Sequence, residues 1–281
     1  MPELPEVETI VRCLKPRLVG LTIARTELRW EKLLRNKNRT ILRRLEGQRI
    51  TGLSRRGKFI RLDSSGGLTL LSHLKMTGQL LFCGESDPRD KHTHFTIFFE
   101  EAQRELRFRD VRKFGFLRLL ETRAAERSAE LRSLGPEPLE LDRPSFIGLF
   151  DRRRGRIKPL LLNQRVVAGI GNIYADEILF EAGIHPESNV SRLRRKNLEN
   201  LWSAMRLVLS RAINSRGTSI RDFRDGDGLR GGFQEFLCVY GRESLPCPRC
   251  GGRIKRLRIA GRSSFFCPRC QKRLFRRVQC V

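Results

Sequence analysis

Phe59-Ile60-Arg61-Leu62-Asp63-Ser64-Ser65-Gly66-Gly67-Leu68-Thr69-Leu70-Leu71 is the stretch from which the N-terminal fold is read. Apolar residues recur with a period near two on both sides of Ser64-Ser65-Gly66-Gly67, whose small residues favour a tight turn, so the stretch predicts two strands joined as a hairpin. Phe95-Thr96-Ile97-Phe98-Phe99 and Leu106-Arg107-Phe108 repeat the pattern, and residues 21 to about 120 read as a β-sandwich. Ahead of it, Val7, Ile10, Val11 and Leu14 fall at helical spacing over residues 5 to 18. Glutamates stand near the start of that segment and Lys15 and Arg17 near its end, as the helix dipole favours, and Pro16 and Gly20 close it.

Composition shifts at Leu134-Gly135-Pro136-Glu137-Pro138, a stiff linker candidate, and the pattern beyond is helical. Leu201, Met205, Val208, Leu209, Ala212 and Ile213 form one apolar face and read as core. Gly169-Ile170-Gly171-Asn172 opens a backbone loop ahead of a helix, a shape suited equally to a phosphate and to a plain helix–helix turn. A polar, glycine-rich stretch from Gly217 to Gly232 follows, long enough to imply a role as a mobile loop. The chain is thus expected to be an α+β multidomain protein. It divides into 1–134, a linker and first helix over 135–150, a helical domain over 151–236, and a cysteine-bearing segment over 237–281.

The 57 basic and 31 acidic residues leave a net charge of +26. The basic residues cluster in runs, at Arg152-Arg153-Arg154-Gly155-Arg156, Arg192 to Lys196 and Arg253 to Arg277, which favours a nucleic-acid partner over a merely arginine-rich composition. No apolar run approaches the roughly 20 residues of a membrane span. Glu3, Glu6 and Glu8 interrupt the first apolar residues, so no secretory signal is expected. Cys247/Cys250 and Cys267/Cys270 form two Cys-x-x-Cys knuckles separated by 16 residues, the spacing of a four-thiolate zinc site, with Gly251-Gly252 permitting a tight turn. Two disulfides would use the same cysteines, but a chain without an export signal is expected where thiols stay reduced. Cys13, Cys83, Cys238 and Cys280 read as ordinary thiols.

The chain opens Met1-Pro2-Glu3-Leu4-Pro5-Glu6. A methionine before a small residue is expected to be removed, which would leave Pro2 as a secondary amine. Such an amine can attack an electrophilic sugar carbon and form an iminium, with Glu3 beside it to handle protons. Taken alone, the same residues also fit an ordinary helix start.

Together these motifs resemble the formamidopyrimidine-DNA glycosylase family. The resemblance spans nearly the whole chain. It rests on the opening Pro2-to-Thr9 stretch, Arg56-Gly57-Lys58, His73-Leu74-Lys75-Met76-Thr77-Gly78, Asp110-Val111-Arg112-Lys113-Phe114-Gly115, Gly169 to Ala175, Val239-Tyr240-Gly241-Arg242 and the final knuckle Cys267 to Gln271. It implies an N-terminal β-sandwich with a leading helix, a helical domain with a helix–two-turn–helix, and a C-terminal β-hairpin zinc finger. It also implies a bifunctional glycosylase and AP lyase that removes oxidised purines, with a base flipped from the duplex. Under this resemblance Pro2 attacks C1′, Glu3 protonates the opening sugar, Lys58 assists, and Arg262 aids the second elimination. Met76, Arg112 and Phe114 correspond to the wedge that fills the vacated stack. His73, His92, Arg153, Asn172 and Arg262 correspond to phosphate contacts, although His92 also reads as a solvated loop histidine. The 217–232 loop corresponds to the lesion-reading loop. Cys247, Cys250, Cys267 and Cys270 would hold one structural zinc ion. The expected partner is damaged double-stranded DNA, met by a cytoplasmic monomer without a membrane. Arg153, Lys113 and Asn163 depart from residues common in the family. The competing readings are a pyrimidine-directed sister enzyme and a non-catalytic DNA-binding protein.

Overall fold

The computed structural model describes residues 1–220 and 223–273. Residues 221–222 of the glycine-rich stretch, the end of the last basic run and Cys280 lie outside the described residues. The chain forms two compact units, one of residues 1–133 and 213–234, the other of 134–212 and 235–281.

The first unit begins with α1 (Leu4–Leu18). Pro16 sits inside its last turn rather than ending it, and the helix runs on to Leu18. Eight strands follow: β1 (Ile23–Leu28), β2 (Ile50–Arg56), β3 (Phe59–Ser64), β4 (Leu68–His73), β5 (Gly78–Gly84), β6 (Thr93–Phe99), β7 (Arg104–Asp110) and β8 (Phe116–Glu121). They form two four-stranded sheets, ordered β1-β6-β7-β5 and β2-β3-β4-β8, with every pairing antiparallel. The expected hairpin is β3–β4, turned at 65–67. Val7, Ile10, Leu14 and Leu18 of α1 join Leu53, Ile60, Leu70, Phe95, Ile97 and Leu106 in a single buried core. Two one-turn helices, α2 (Thr122–Ala125) and α3 (Ala129–Arg132), close the unit's first segment.

Register explains what stands at one rim of this sandwich. Phe59 pairs with His73, His73 with Phe116, Gly78 with Asp110, and Thr93 with Arg109. The β2–β3 turn at 57–58 and the two sheet-to-sheet crossovers, 74–77 and 111–115, therefore meet at the same end.

The second unit contains α4 (Arg143–Gly148), α5 (Ile157–Leu162), α6 (Asn172–Glu181), all but the last two residues of α7 (Arg195–Asn214) and a hairpin of β9 (Lys255–Ile259) and β10 (Arg262–Phe266). The 134–138 segment is tied to the α5–α6 connection, Gly135 N–H donating to Gln164 O at 2.7 Å and Ala168 N–H to Pro136 O at 3.0 Å. Gln164 pins that connection, its Nε2 donating to Leu162 O and Ile170 O and its Oε1 accepting from Gly169 N–H. The apolar face of α7 is buried as its spacing predicts, with Leu201, Met205 and Leu209 fully covered. Among the described residues no helix is long and apolar enough to cross a membrane.

Candidate functional site

In the first unit the start of α1 carries the candidate nucleophile. Met1 is exposed, while Pro2 and Glu3 are buried. Glu6, itself 1% exposed, accepts the Glu3 N–H through Oε2 at 2.7 Å and the Thr218 N–H through Oε1 at 2.7 Å. One carboxylate thus joins the helix start to the 217–232 segment. Sequence reading gave Glu6 only a place in the first turn. Two residues on, Glu8 pairs with Arg55, Nε to Oε2 at 3.0 Å, and Arg55 also donates to Gly57 O beside Lys58. The Arg12 and Arg55 guanidiniums hold the Glu8 carboxyl below its usual range against the upward push of burial. Lys58 is 6% exposed, an uncommon state for a lysine and unlike a solvated surface residue.

His73 closes β4 with its ring stacked on Phe116 at 5.6 Å. Burial, helped by the positive charges of Lys75, Lys58 and Arg35, pushes its pKa down to about 3. Its Nδ1 accepts the Lys75 N–H at 3.0 Å, so the neutral ring carries its proton on Nε2 and can donate there. Arg35 lies 3.2 Å over the Phe116 ring. A neutral donor ringed by cations suits an anionic oxygen.

Met76 and Phe114 stand on the two crossovers and are 41% and 52% exposed. Arg112 reaches 4.6 Å over the Phe114 ring. An apolar residue in a strand would ordinarily be core; these two lie outside the strands, which removes them from it. Val111, also exposed, adds apolar surface that the sequence reading did not single out. Asp110, fully buried, organises both crossovers: it accepts from Thr77 Oγ1 and Arg112 N–H through Oδ1 and from Gly115 N–H through Oδ2 at 2.7 Å. His92, half-buried just before β6, accepts the Asp110 N–H at its carbonyl, which brings it to the same rim.

The second unit holds Arg153, Asn172 and Arg262. Arg153 is folded back, its Nη1 donating to Leu149 O, while Arg152, Arg154 and Arg156 of the same run are exposed. Asn172 opens α6, and its Nδ2 donates to Ser263 O at 3.1 Å, next to exposed Arg262 at the start of β10. Beneath them lies a buried ion pair absent from the sequence reading. Lys158 Nζ stands 2.7 Å from Asp176 Oδ1, both side chains 0% exposed, and also donates to Ser264 Oγ at 2.7 Å and Ser263 O at 2.9 Å. Asp176 accepts the Phe265 N–H, and burial raises its carboxyl to about 7 against the lowering by Lys158. Glu177 accepts the N–H groups of Cys238, Val239 and Tyr240, burial again pushing its pKa up. Two acids side by side in the apolar run Ile173 to Phe180 were the available signal.

The four cysteine Sγ atoms lie within 4.8 Å of one another, with Cys247–Cys270 at 3.9 Å and Cys250–Cys267 at 3.5 Å. These spacings bracket the edge of about 3.8 Å that a tetrahedron with Zn–S bonds near 2.3 Å requires. Gly251 takes φ +70 to make the first knuckle's turn, as its lack of a Cβ allows. The Gly252 N–H leads in lowering the Cys250 thiol to about 7. The residues fit one zinc ion, which would supply a cross-link of the finger and no reaction chemistry.

Comparison with known proteins agrees with this geometry. Residues 1–117 match the formamidopyrimidine-DNA glycosylase N-terminal domain, 134–224 its H2TH domain, and 244–273 the zinc finger found in FPG and IleRS. The chain is 46% identical to the formamidopyrimidine-DNA glycosylase of Desulforamulus reducens, over 92% of this chain and 95% of that one. It is 48% identical to that of Moorella thermoacetica, again over 92% and 95%. Among solved structures it resembles Lactococcus lactis Fpg in complex with an abasic site containing DNA, with TM-score 0.90 and 37% identity over 96% of this chain and 100% of that one. It also resembles a mutant of the same protein bound to a Fapy-dG containing DNA, with TM-score 0.91 and 37% identity over 97% and 100%.

Proposed function

The chain belongs to the formamidopyrimidine-DNA glycosylase family, and from that premise we propose that it excises oxidised purines from duplex DNA and cleaves the strand through its N-terminal proline. It is a DNA glycosylase with a four-cysteine zinc finger. With Met1 removed, the Pro2 secondary amine attacks C1′ of the flipped nucleotide. The C1′–N bond breaks, and the base leaves with its electron pair and takes up the proton released from the Pro2 nitrogen. Glu3 protonates the ring oxygen as the sugar opens, which leaves a Pro2 iminium. That iminium acidifies the C2′ proton, whose loss expels the 3′ phosphate; a second elimination expels the 5′ phosphate, and water returns the amine. Lys58 and Arg262 serve proton transfer and phosphate departure. His73, His92, Arg153 and Asn172 hold phosphates. Met76, Arg112 and Phe114 occupy the vacated stack, and the 217–232 loop contacts the flipped base. In this division 1–134 carries the chemistry, 151–236 grips the duplex and 237–281 is the finger, in a cytoplasmic monomer.

The observation that carries the reading is the exposed pair Met76 and Phe114 on the two crossovers of one rim, with Arg112 over the Phe114 ring. Architectural DNA-binding proteins also insert apolar wedges, so covalent capture of the substrate is what separates an enzyme from a binder. Borohydride trapping on an 8-oxoguanine duplex is the test. A covalent adduct is expected, lost when Met1 is retained and greatly reduced by Pro2→Gly. Full cleavage by a chain that keeps Met1 would sink the proposed nucleophile. A thymine glycol duplex run alongside separates the pyrimidine-directed reading.

A further inference from the structure

Sequence alone reads 217–232 as a mobile loop, yet its second half is built onto α1. The segment meets that helix at two places. At the helix start, Glu6 accepts the Thr218 N–H. Near the helix end, Asp227 takes a two-point ion pair from Arg17, with Nη2 at 3.1 Å from Oδ2, and a further bond from Cys13 Sγ at 3.2 Å. Glu6 and Arg17 are eleven residues apart on the helix, about 16 Å of rise.

Around Asp227 the chain makes a closed turn. Asp225, 0% exposed, accepts the N–H groups of Asp227 at 3.0 Å and Leu229 at 2.9 Å through Oδ1, and Arg216 Nε at 3.2 Å through Oδ2. Gly226 O accepts the Phe82 N–H of β5 at 3.0 Å. The turn lies so close to α1 that a Cβ on Gly226 would stand 2.5 Å from Leu14 Cδ2 and 3.2 Å from Cys13 Sγ. Leu229 is thereby presented to solvent, 53% exposed. Cys13, Asp225 and Asp227 gather within 4.8 Å of one another, but Arg17 and Arg216 already neutralise both carboxylates. The cluster is a clamp and not a cation site.

The helix that carries Pro2 therefore also carries the seat of the loop. We propose that Arg17 and Asp227 are positioning residues for base selection: their pair fixes the 223–231 turn on α1, so that turn stands at a set distance from the Pro2 nitrogen before a damaged base arrives. This rests on the reading of 217–232 as the base-contacting loop and of Pro2 as nucleophile. The clamp should matter for excising a base and not for cleaving at a site that has already lost one.

The test compares the full-length, zinc-loaded enzyme with Arg17→Ala, Asp227→Ala, the double variant and the charge swap Arg17→Asp/Asp227→Arg. Each is assayed on an 8-oxoguanine duplex and on a preformed abasic duplex. On 8-oxoguanine each single variant is expected to lower kcat/KM by about 5-fold, as loss of a partly exposed pair predicts. The double variant should be no worse than the singles, and the swap should recover part of the loss. Cleavage and borohydride trapping at the abasic site should stay within about twofold of the parent. Parallel losses on both substrates, or no loss on either, would overturn the proposal. If Arg17→Ala melts early, Arg17→Lys keeps the charge, gives up one of the two bonds, and carries the same comparison. Failure of the underlying function looks different, because the parent enzyme itself would then neither trap nor cleave.

Discussion

Replacing Asp176 by asparagine should strand a positive charge inside the second unit. Asparagine keeps the volume and an acceptor for the Phe265 N–H, so the loss is confined to the countercharge of Lys158 at 2.7 Å. Removing one side of a buried pair costs about 3–5 kcal/mol, well beyond the roughly 1 kcal/mol of a single neutral hydrogen bond. Lys158→Met leaves the carboxyl instead, and that group can escape by taking a proton. The two variants should therefore depend on pH in opposite senses. In Lys158→Met the folded carboxyl titrates at or above the about 7 it already shows, against an ordinary carboxyl once unfolded. Its stability is intact below about pH 4, falls by up to about 1.4 kcal/mol per unit as pH rises from there, and levels off above the folded pKa. In Asp176→Asn the stranded ammonium has a depressed pKa, so stability rises with pH on the alkaline side. Lys158→Met/Asp176→Leu should return to within about 1 kcal/mol of the parent or exceed it. Urea unfolding on a Trp30→Phe background lets Trp202 report the second unit. Because Lys158 and Asp176 hold Ser263, Ser264 and Phe265, both single variants should also shift cleavage from the doubly to the singly eliminated product through Arg262. A single-variant cost below about 1 kcal/mol, with no pH slope, would refute an ionised pair.

His73 should make the first unit acid-sensitive. Folded, it stays neutral to about 3, whereas unfolded it titrates near about 6.5, so stability falls as pH drops through that window. The loss reaches about 2 kcal/mol at pH 5. His73→Gln should flatten this slope in urea titrations at pH 7.5 and 5, and an unchanged slope would count against it. Gly115→Ala should cost about 2–3 kcal/mol, because its Cβ would fall 2.6 Å from Cζ of fully buried Phe108. It should also weaken binding to a lesion duplex by anisotropy; a cost under about 0.5 kcal/mol would show that the crossover yields freely. Chelating zinc removes a contribution of about 10–16 kcal/mol from the finger. Duplex affinity should then fall at least tenfold while the first unit's unfolding midpoint holds, and unchanged affinity would make the finger dispensable.

Strands β3, β4, β6 and β7, α1 and the cysteine knuckles were legible because each is written locally, in a period of two, a period near 3.6 and a fixed spacing, whereas β1, β2, β5 and β8 carry weaker alternation and were not singled out. Met76 and Phe114 were legible only through their motifs. Periodicity assigns a lone apolar residue to the core, and only strand ends and pairings reveal that these two stand on crossovers. The Lys158–Asp176 pair draws on residues 158, 176 and 263 to 265, which no local window contains. Asp225 looks like any aspartate before a glycine until Arg216 and the N–H groups of Asp227 and Leu229 converge on it. Mobility was inferred for that loop from composition, which carries no information about its anchors on α1.

Asp110 has a consequence for how such a protein can be altered. Its carboxylate is shared between two crossovers that are more than thirty residues apart in sequence, binding Thr77 on one and Arg112 and Gly115 on the other. Neither crossover can change length without withdrawing a donor from the same oxygen atoms. Residues 74–78 and 110–115 therefore form a single cassette. A graft of one segment from a relative should fail, a graft of both should succeed, and the wedge they carry is replaceable only as a pair.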